Sequence, residues 1–397
     1  MVGAGRHQRR AIERARELGL RVVAVDRNPY APGLAAADEA AVVDFTDVDA
    51  VSDAGRRHKV EGVLTVSADR AVPIVAAVAE ALGLPGIGVE TAHLMTHKVA
   101  MRRLFAERGV PQPAFAALRR LSERHAALEE TGLPAVLKPV DSGGQRGVFR
   151  LESMDDLEAH LHAALAESRS GEAIVESFHD GLELNGLAVA RNGEVELLTL
   201  SDRLRPPGIG FGVGWAHLYP STLFGDPLAR AEETAVNAIH ALGLRNGIAF
   251  PQVIVSADGE CRVVEVAARI PGGQMADLAR HAVGVDLVEV ALRQALGLDV
   301  PDELVKPHFS QPLAIKFLTA APGPLPTGRI QSVGSLEKVL AFPGVVQAEL
   351  YLQPGETIRP VRLDGDRRGY VIAVADTNLE ALERAEAAAT LVDVIVE

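Results

Sequence analysis

A carboxylate, an amide and an arginine stand at a spacing that suits a hard cation holding phosphate. Residues 247–267 read as a β-hairpin turning on Asp258-Gly259, a favoured two-residue turn pair. That turn sets Gln252 opposite Glu265, Phe250 opposite Ala267 and Ile254 opposite Val263, all on one side of the ribbon. Directly opposed side chains lie ~5 Å apart at Cβ, so an acid and an amide oxygen reach the same point. Arg269 follows at once, and Pro271-Gly-Gly-Gln274 adds a loop rich in free N–H groups. Such a set fits Mg²⁺, with phosphate oxygens as the remaining ligands and an arginine for the transferring phosphoryl group. The other reading of the pair is a Gln–Glu hydrogen bond at the edge of a core.

Two glycine loops add candidates. Asp141-Ser-Gly143-Gly144-Gln-Arg-Gly147 follows the apolar run Ala-Val-Leu-Lys138-Pro. A lysine there is costly to bury unless its charge is used, and a glycine loop can wrap phosphate with backbone N–H groups. The spacing is not that of a Walker loop. Taken alone, loop and lysine are either a phosphate cradle or a surface hairpin. The second loop, Gly3-Ala-Gly5-Arg-His-Gln8, opens a helix, and Asp26 ends the next strand. That is the arrangement of a nicotinamide dinucleotide site, or of a tight strand-to-helix turn that binds none. Only Met1 and Val2 precede the first turn, where a strand needs about five residues. Either that strand is truncated or the start lies upstream.

The elements that must hold these groups fall into three stretches of a 397-residue chain. At ~150 residues per domain, two to three domains are expected. Residues 1–92 alternate short β-branched runs (21–25, 41–44, 62–66) with helical stretches (8–18, 47–58, 71–82), which means a parallel, Rossmann-like sheet. Residues 93–300 change to paired strands around helices at 98–108, 154–166 and 227–242, an α+β pattern. Gly109 and Pro111 stop the first of these helices, and Ser153 with Asp156 opens the second as a capping box. Residues 301–397 form a small α+β module with strands at 313–319, 345–351 and 370–375, and a second capping box at Thr377 and Glu380.

Composition removes several classes. The chain is 48% hydrophobic and carries a net charge of −13, which argues against disorder and against an electrostatic nucleic-acid binder. No uncharged run reaches the ~18 residues of a membrane helix, and no apolar leader opens the chain. One cysteine, Cys261, excludes an intramolecular disulfide and fits a reducing cytoplasm. No Ser-His-Asp or Cys-His arrangement offers nucleophilic catalysis.

Taken in order, Lys98, Lys138, the glycine loop, Glu176-Ser-Phe178-His179-Asp-Gly-Leu-Glu183, His217-Leu-Tyr-Pro220 and Glu265-Val-Ala-Ala-Arg269 resemble the ATP-grasp superfamily. Within it the pattern is similar to carboxylate–amine ligases of the L-amino-acid ligase type, over nearly the whole chain. The resemblance implies a Rossmann-like domain (1–92), an ATP-grasp domain (93–300) with a mobile lid at about 114–178, and the C-terminal module (301–397). It assigns Lys98 and Lys138 to the ATP phosphates and Gly143, Gly144 and Gly147 to the lid. It assigns Glu176, Phe178 and His179 to the adenine hinge and Glu183 to the ribose. Gln252 and Glu265 become the metal pair for Mg²⁺ or Mn²⁺, and Arg269, with Lys138, the catalytic cations. Two departures stand out: Gln252 replaces the family's first metal-binding glutamate, and Ala267 replaces its asparagine.

The implied reaction joins a small-molecule carboxylate to an amine through an acyl phosphate, releasing ADP and phosphate. Arg203, Arg205, His217, Gly272 and Gly273 are the substrate candidates. Trp215 either walls the same pocket or plugs a core, and His217 is a substrate contact, an acid/base or a packed histidine. Other ATP-grasp ligation, of the carbamoyl-phosphate or purine-pathway kind, is the alternative. A nicotinamide-dependent oxidoreductase is the alternative of another class. No nucleic-acid or membrane partner is expected, and a homodimer is compatible with the pattern.

Overall fold

Strand pairing organises the computed structural model, which describes residues 1–205 and 212–397, into four sheets. Near the N-terminus, Val23–Asp26 pairs in parallel with Glu39–Val42, and Val2 bridges to Val25. The run 62–66, expected as a strand, is no regular ladder. Its groups are divided between two neighbours: Leu64 accepts from Val2 N at 2.9 Å, and Val66 bridges to Ile270. The helices Arg6–Glu17, Val48–His58 and Val72–Leu82 follow the expected periods.

A four-stranded antiparallel sheet comes next, in the order Phe115–Leu118, Ala173–Ser177, Ala135–Pro139, Phe149–Leu151. Helices Arg124–Thr131 and Met154–Ala166 cover it, the second opened by the expected Ser153/Asp156 capping box. Leu137, Leu151, Leu157 and Val175 are fully buried between them. Helix Lys98–Arg108 abuts this unit: Lys98 N donates to Val140 O at 2.8 Å, and Gly109 ends the helix at φ 69°. A left-handed residue there favours glycine and stops the helix.

The largest sheet has eight antiparallel strands. Its order is Cys261–Ala267, Gly247–Val255, Leu182–Arg191, Glu194–Leu204, Ala216–Tyr219, Leu313–Leu318, Gly369–Val374, Val345–Leu350. It therefore runs across residue 300, because Leu313–Leu318 pairs with Ala216–Tyr219. Helix Asn378–Ala389, whose Thr377 cap accepts from Glu380 N at 3.2 Å, packs Ala381, Ala385 and Ala388 beneath the C-terminal strands. A three-stranded sheet of Thr357–Ile358, Gly328–Val333 and Val394–Val396 closes that end.

The hairpin differs from expectation in an instructive way. Its loop is three residues, not two: Ser256 N donates to Glu260 O at 3.0 Å, and Gly259 takes a left-handed φ of 82°. That slips the pairing by one, so Ile254 faces Arg262 instead of Val263. A bulge at Val264 then undoes the slip, and Gln252 still faces Glu265, with Phe250 on Ala267. The buried Arg102 guanidinium donates to the carbonyls of Val263 and Val264, which supplies the partners a bulged strand lacks.

Candidate active site

Two cavities meet at the Gln252–Glu265 pair. The first, of about 120 Å³, lies between the four-stranded sheet and the eight-stranded one. Lys98, Lys138, Gly143, Gly144, Glu176, Phe178, His179, Glu183 and Arg205 line it, together with Gln252 and Glu265. The second, of about 300 Å³, is lined by Arg203, His217, Gly272, Gly273 and Arg269, and again by Gln252 and Glu265. Most of the residues singled out from sequence, though scattered over the chain, thus converge on one cleft.

In the first cavity the cations are already paired. Lys138 sits on a central strand with its Nζ 2.6 Å from Glu176, both nearly inaccessible. Arg102 Nε reaches the same carboxylate at 2.9 Å. Burial pushes the Glu176 carboxyl up, but Arg102 and Lys138 outweigh it and hold the group at about 2. Glu176 lines the cavity at the stretch expected to form the adenine hinge, with Ser177, Phe178 and His179, and its side chain is the counter-charge of Lys138. Arg150 lies over the Phe178 ring at 4.2 Å, and His179 Nε2 is 2.9 Å from Ser177 Oγ. Burial, then Arg262, keeps the His179 imidazole low. Lys98 Nζ donates to Ser142 O at 2.9 Å and lies 3.4 Å from Glu265.

Glu183 is held by Arg203 Nη1 at 3.0 Å and Arg205 Nη2 at 2.9 Å. Gln252 Nε2 lies 2.9 Å from Asn185 Oδ1 and 3.4 Å from Glu183 Oε1. Arg269 makes a two-pronged pair with Asp69, at 2.6 and 2.8 Å, while its Nη1 is buried with no protein partner. A guanidinium with one buried donor left over beside a cleft is a ready anion contact.

The second cavity is rich in arginine. Arg367 lies over the Phe317 ring at 3.8 Å and pairs with Asp364 at 2.8 Å; Arg6 lies over Tyr351 at 3.6 Å. Burial, then Arg367 and Arg203, press the His217 imidazole down to about 3. Burial, then Arg6 and its neighbours, press His7 down to about 4. Both are neutral near pH 7, so neither is poised as a proton carrier there. Asp69, Asn185, Asp364 and Arg367 escaped the sequence reading, because no local pattern marks them: they enter the cleft from three separate segments, Asp364 and Arg367 from one turn.

Some expectations fail. Trp215 lines neither cavity; it sits among the C-terminal core residues, with Lys316 Nζ 3.7 Å from its ring centre. Gly147 is also outside both cavities, against Glu167 and Pro139. The dinucleotide reading of the N-terminal turn loses its acid: Asp26 accepts from Ala4 N at 2.9 Å and Asn28 N at 2.9 Å. Gly33 N then donates to Ala4 O at 2.7 Å, so a helix start closes over the turn. Residues 206–211, between the substrate candidates Arg205 and Trp215, lie outside the described residues.

For a divalent ion, Glu265 supplies one carboxylate and Gln252 one neutral oxygen. Among the described residues no group of three His, Cys, Asp or Glu could hold an ion unaided. This donor set fits a cation that arrives with phosphate and takes most of its ligands from it.

Three family models match the chain: the ATP-grasp N-terminal domain over residues 12–86, the D-ala D-ala ligase C-terminus over 104–211, and the L-amino acid ligase C-terminal domain 2 over 323–397. A formate-dependent phosphoribosylglycinamide formyltransferase of Burkholderia thailandensis is 30% identical, with 99% of this chain and 94% of the relative covered. The enzyme of that name from Ignicoccus hospitalis is 29% identical over 100% of this chain and 95% of its own. Among solved structures, an L-amino acid ligase from Bacillus licheniformis superposes with a TM-score of 0.86, 22% identity and coverage of 100% and 98%. N5-carboxyaminoimidazole ribonucleotide synthetase from Thermotoga maritima gives 0.74, 22%, 100% and 98%. With the Burkholderia relative 30% identical over 99% of this chain, the chain belongs to the ATP-grasp superfamily of carboxylate–amine ligases.

Proposed function

We propose that the protein uses ATP to join a small carboxylic acid to an amine, forming an amide or dipeptide through an acyl phosphate and releasing ADP and phosphate. The observation that carries this reading is the meeting of the two cavities at Gln252 and Glu265, with Arg269 on the wall of the larger one. A nucleotide in the smaller cavity would then have its γ-phosphoryl group at the mouth of the larger one.

In this reading Lys98 and Lys138 bind phosphate oxygens, and Gly143 and Gly144 lie over them. Ser177, Phe178 and His179 border the adenine, and Glu183 the ribose. Gln252 and Glu265 hold Mg²⁺ or Mn²⁺, which neutralises phosphate charge during transfer. Arg269 uses its spare Nη1 on the phosphoryl group, and Arg203, His217, Gly272 and Gly273 position the carboxylate. The reacting species are anionic, so fixed donors and cations serve and no protein nucleophile is needed. A neutral His217 acts as a donor, not as a base.

A second reading, formate or bicarbonate as the acid, is favoured by relatives that are formate-dependent formyltransferases. A phosphate-release screen separates the two. Amino-acid pairs should release phosphate under the first reading, and formate or bicarbonate with an amine under the second. Silence in every combination, with ATP bound, overturns both. The reading places the protein in the cytoplasm, where ATP is supplied; no described helix is long and apolar enough to cross a membrane. It includes a homodimer, which sedimentation tests.

A further inference from the structure

The terminal amides of Gln252 and Asn185 can each point two ways, and their directions decide what the site offers. Gln252 pairs with Glu265 on one neighbouring strand and with Asn185 on the other. Asn185 is 2% exposed and His217 is 3% exposed, so neither has water to choose its partners. We propose that a directed hydrogen-bond chain, Glu183–Gln252–Asn185–His217, turns the Gln252 carbonyl toward the Glu265 side and the His217 Nε2–H toward the substrate cavity, with Asn185 as its positioning residue.

The direction starts at Glu183. A carboxylate paired with two arginines can only accept, so the Gln252 atom nearest to it, 3.4 Å away, is the amide nitrogen. That nitrogen donates to Asn185 Oδ1 at 2.9 Å. Asn185 is then left with its Nδ2 facing His217 Nδ1 at 3.3 Å. An amide nitrogen only donates, so Nδ1 accepts and the imidazole proton resides on Nε2. Nε2 faces the glycine loop: a Cβ built on Gly273 would stand 3.4 Å from it. A substrate oxygen in that cavity, on a carboxylate or the acyl group made from it, therefore meets an N–H donor. At the other end, the Gln252 carbonyl is the only end of its amide that these bonds leave for a cation.

This links the missing family glutamate to substrate binding. A glutamate at 252 would accept from Asn185, which would have to rotate and present Oδ1 to His217. The imidazole proton would then move to Nδ1, and the cavity would lose its donor. The roles of the two ends rest on the ligase reading; the direction of the chain does not.

The test uses the full chain labelled with ¹⁵N-histidine and free of nucleotide. Long-range ¹H–¹⁵N correlation reports the tautomer, and the His217 signals are those missing in His217→Gln. The parent should carry its proton on Nε2. Asn185→Asp keeps the acceptor for Gln252 but removes the donor to Nδ1, so Nδ1 should become protonated. Asn185→Ala frees the Gln252 amide, and Mn²⁺ with ADP, followed by electron paramagnetic resonance, should bind ~10-fold more weakly. Asn185→Asp should not show that loss. A parent protonated on Nδ1, or an unprotonated Nδ1 in Asn185→Asp, overturns the proposal. So does parental Mn²⁺ affinity in a folded Asn185→Ala. If Asn185→Ala does not fold, the isosteric Asn185→Asp still decides. Because the tautomer is read without turnover, a protein silent in every phosphate-release pairing would end the ligase reading and leave this result standing.

Discussion

The two cavities treat charge differently. In the smaller one each lysine has an acid at hand: Lys138 has Glu176, and Lys98 has Glu265. In the larger one Arg6, Arg203, Arg269 and Arg367 crowd in, and two histidines are pressed into their neutral forms. The first pattern belongs to a cradle built before the ligand arrives. In the second, Arg203, Arg269 and Arg367 are paired too, with Glu183, Asp69 and Asp364, but Arg6 lies over a tyrosine ring and Arg269 keeps one buried donor without a protein partner. A nucleotide must loosen existing pairs, whereas an acidic substrate meets a donor that those pairs leave over.

The hardest blow to this contrast falls on an arginine of the larger cavity, next to the Glu265 that both cavities share. Under the proposed ligase reading, in which the unpartnered Nη1 serves the transferring group, Arg269→Ala should lower turnover by ~10³-fold, with ATP affinity much less affected. Steady-state kinetics beside calorimetry checks it; equal losses in both would place Arg269 among simple nucleotide contacts.

Next come the lysines, which the geometry separates. Lys138→Ala leaves the buried Glu176 with Arg102 alone, so the fold should lose ~3–5 kcal/mol in denaturant titration. This cost is visible only in the structure; the sequence pattern treats both lysines as plain phosphate contacts. Lys98 is less enclosed, and Lys98→Ala should leave the melting midpoint near the parent's while weakening ATP by ~2 kcal/mol, about 30-fold. Comparable unfolding in both variants would erase the distinction.

A smaller effect concerns pH. His217 titrates at about 3 in the fold against 6.5 when free, so between those values the unfolded chain holds the extra proton. Stability from this group is complete above pH 6.5 and falls as pH drops toward 3. Glu176, at about 2 against 4.5, adds a second loss below pH 4.5. His217→Gln should flatten the upper window by up to ~1.4 kcal/mol per pH unit. Denaturant midpoints measured from pH 7 to 4 would show the two slopes, and parallel curves would contradict the neutral, buried histidine.

The smallest change in metal demand is expected at Gln252, where a glutamate would also turn Asn185 and cost the substrate cavity its donor. Gln252→Glu adds an acid beside Glu265, so half-maximal activity should need several-fold less Mg²⁺. An unchanged Mg²⁺ requirement would make the pair a structural hydrogen bond. Turnover need not rise with it, since tighter metal binding in the ground state does not lower the barrier.

Local sequence was enough for much of this molecule. Helix 98–108 was readable from its period and its Gly109 stop, helix 154–166 from its capping box, and strand 135–139 from an apolar run before a glycine loop. These signals act over a few residues, where backbone preference and capping operate. The opposition of Gln252 and Glu265 was legible too, although the hairpin lacks the two-residue turn its sequence suggests; a three-residue loop and a bulge offset each other. What tertiary structure alone decided is the fate of the charges. Glu176 follows its hinge motif in sequence yet serves Lys138, and Asp69 holds Arg269 from 200 residues away. Trp215 sits in a core under Lys316, and Asp26 is spent on its own turn. Whether a charged group is free, paired or neutral depends on burial and on neighbours from distant strands, and burial changes the cost of charge more than any local sequence preference does.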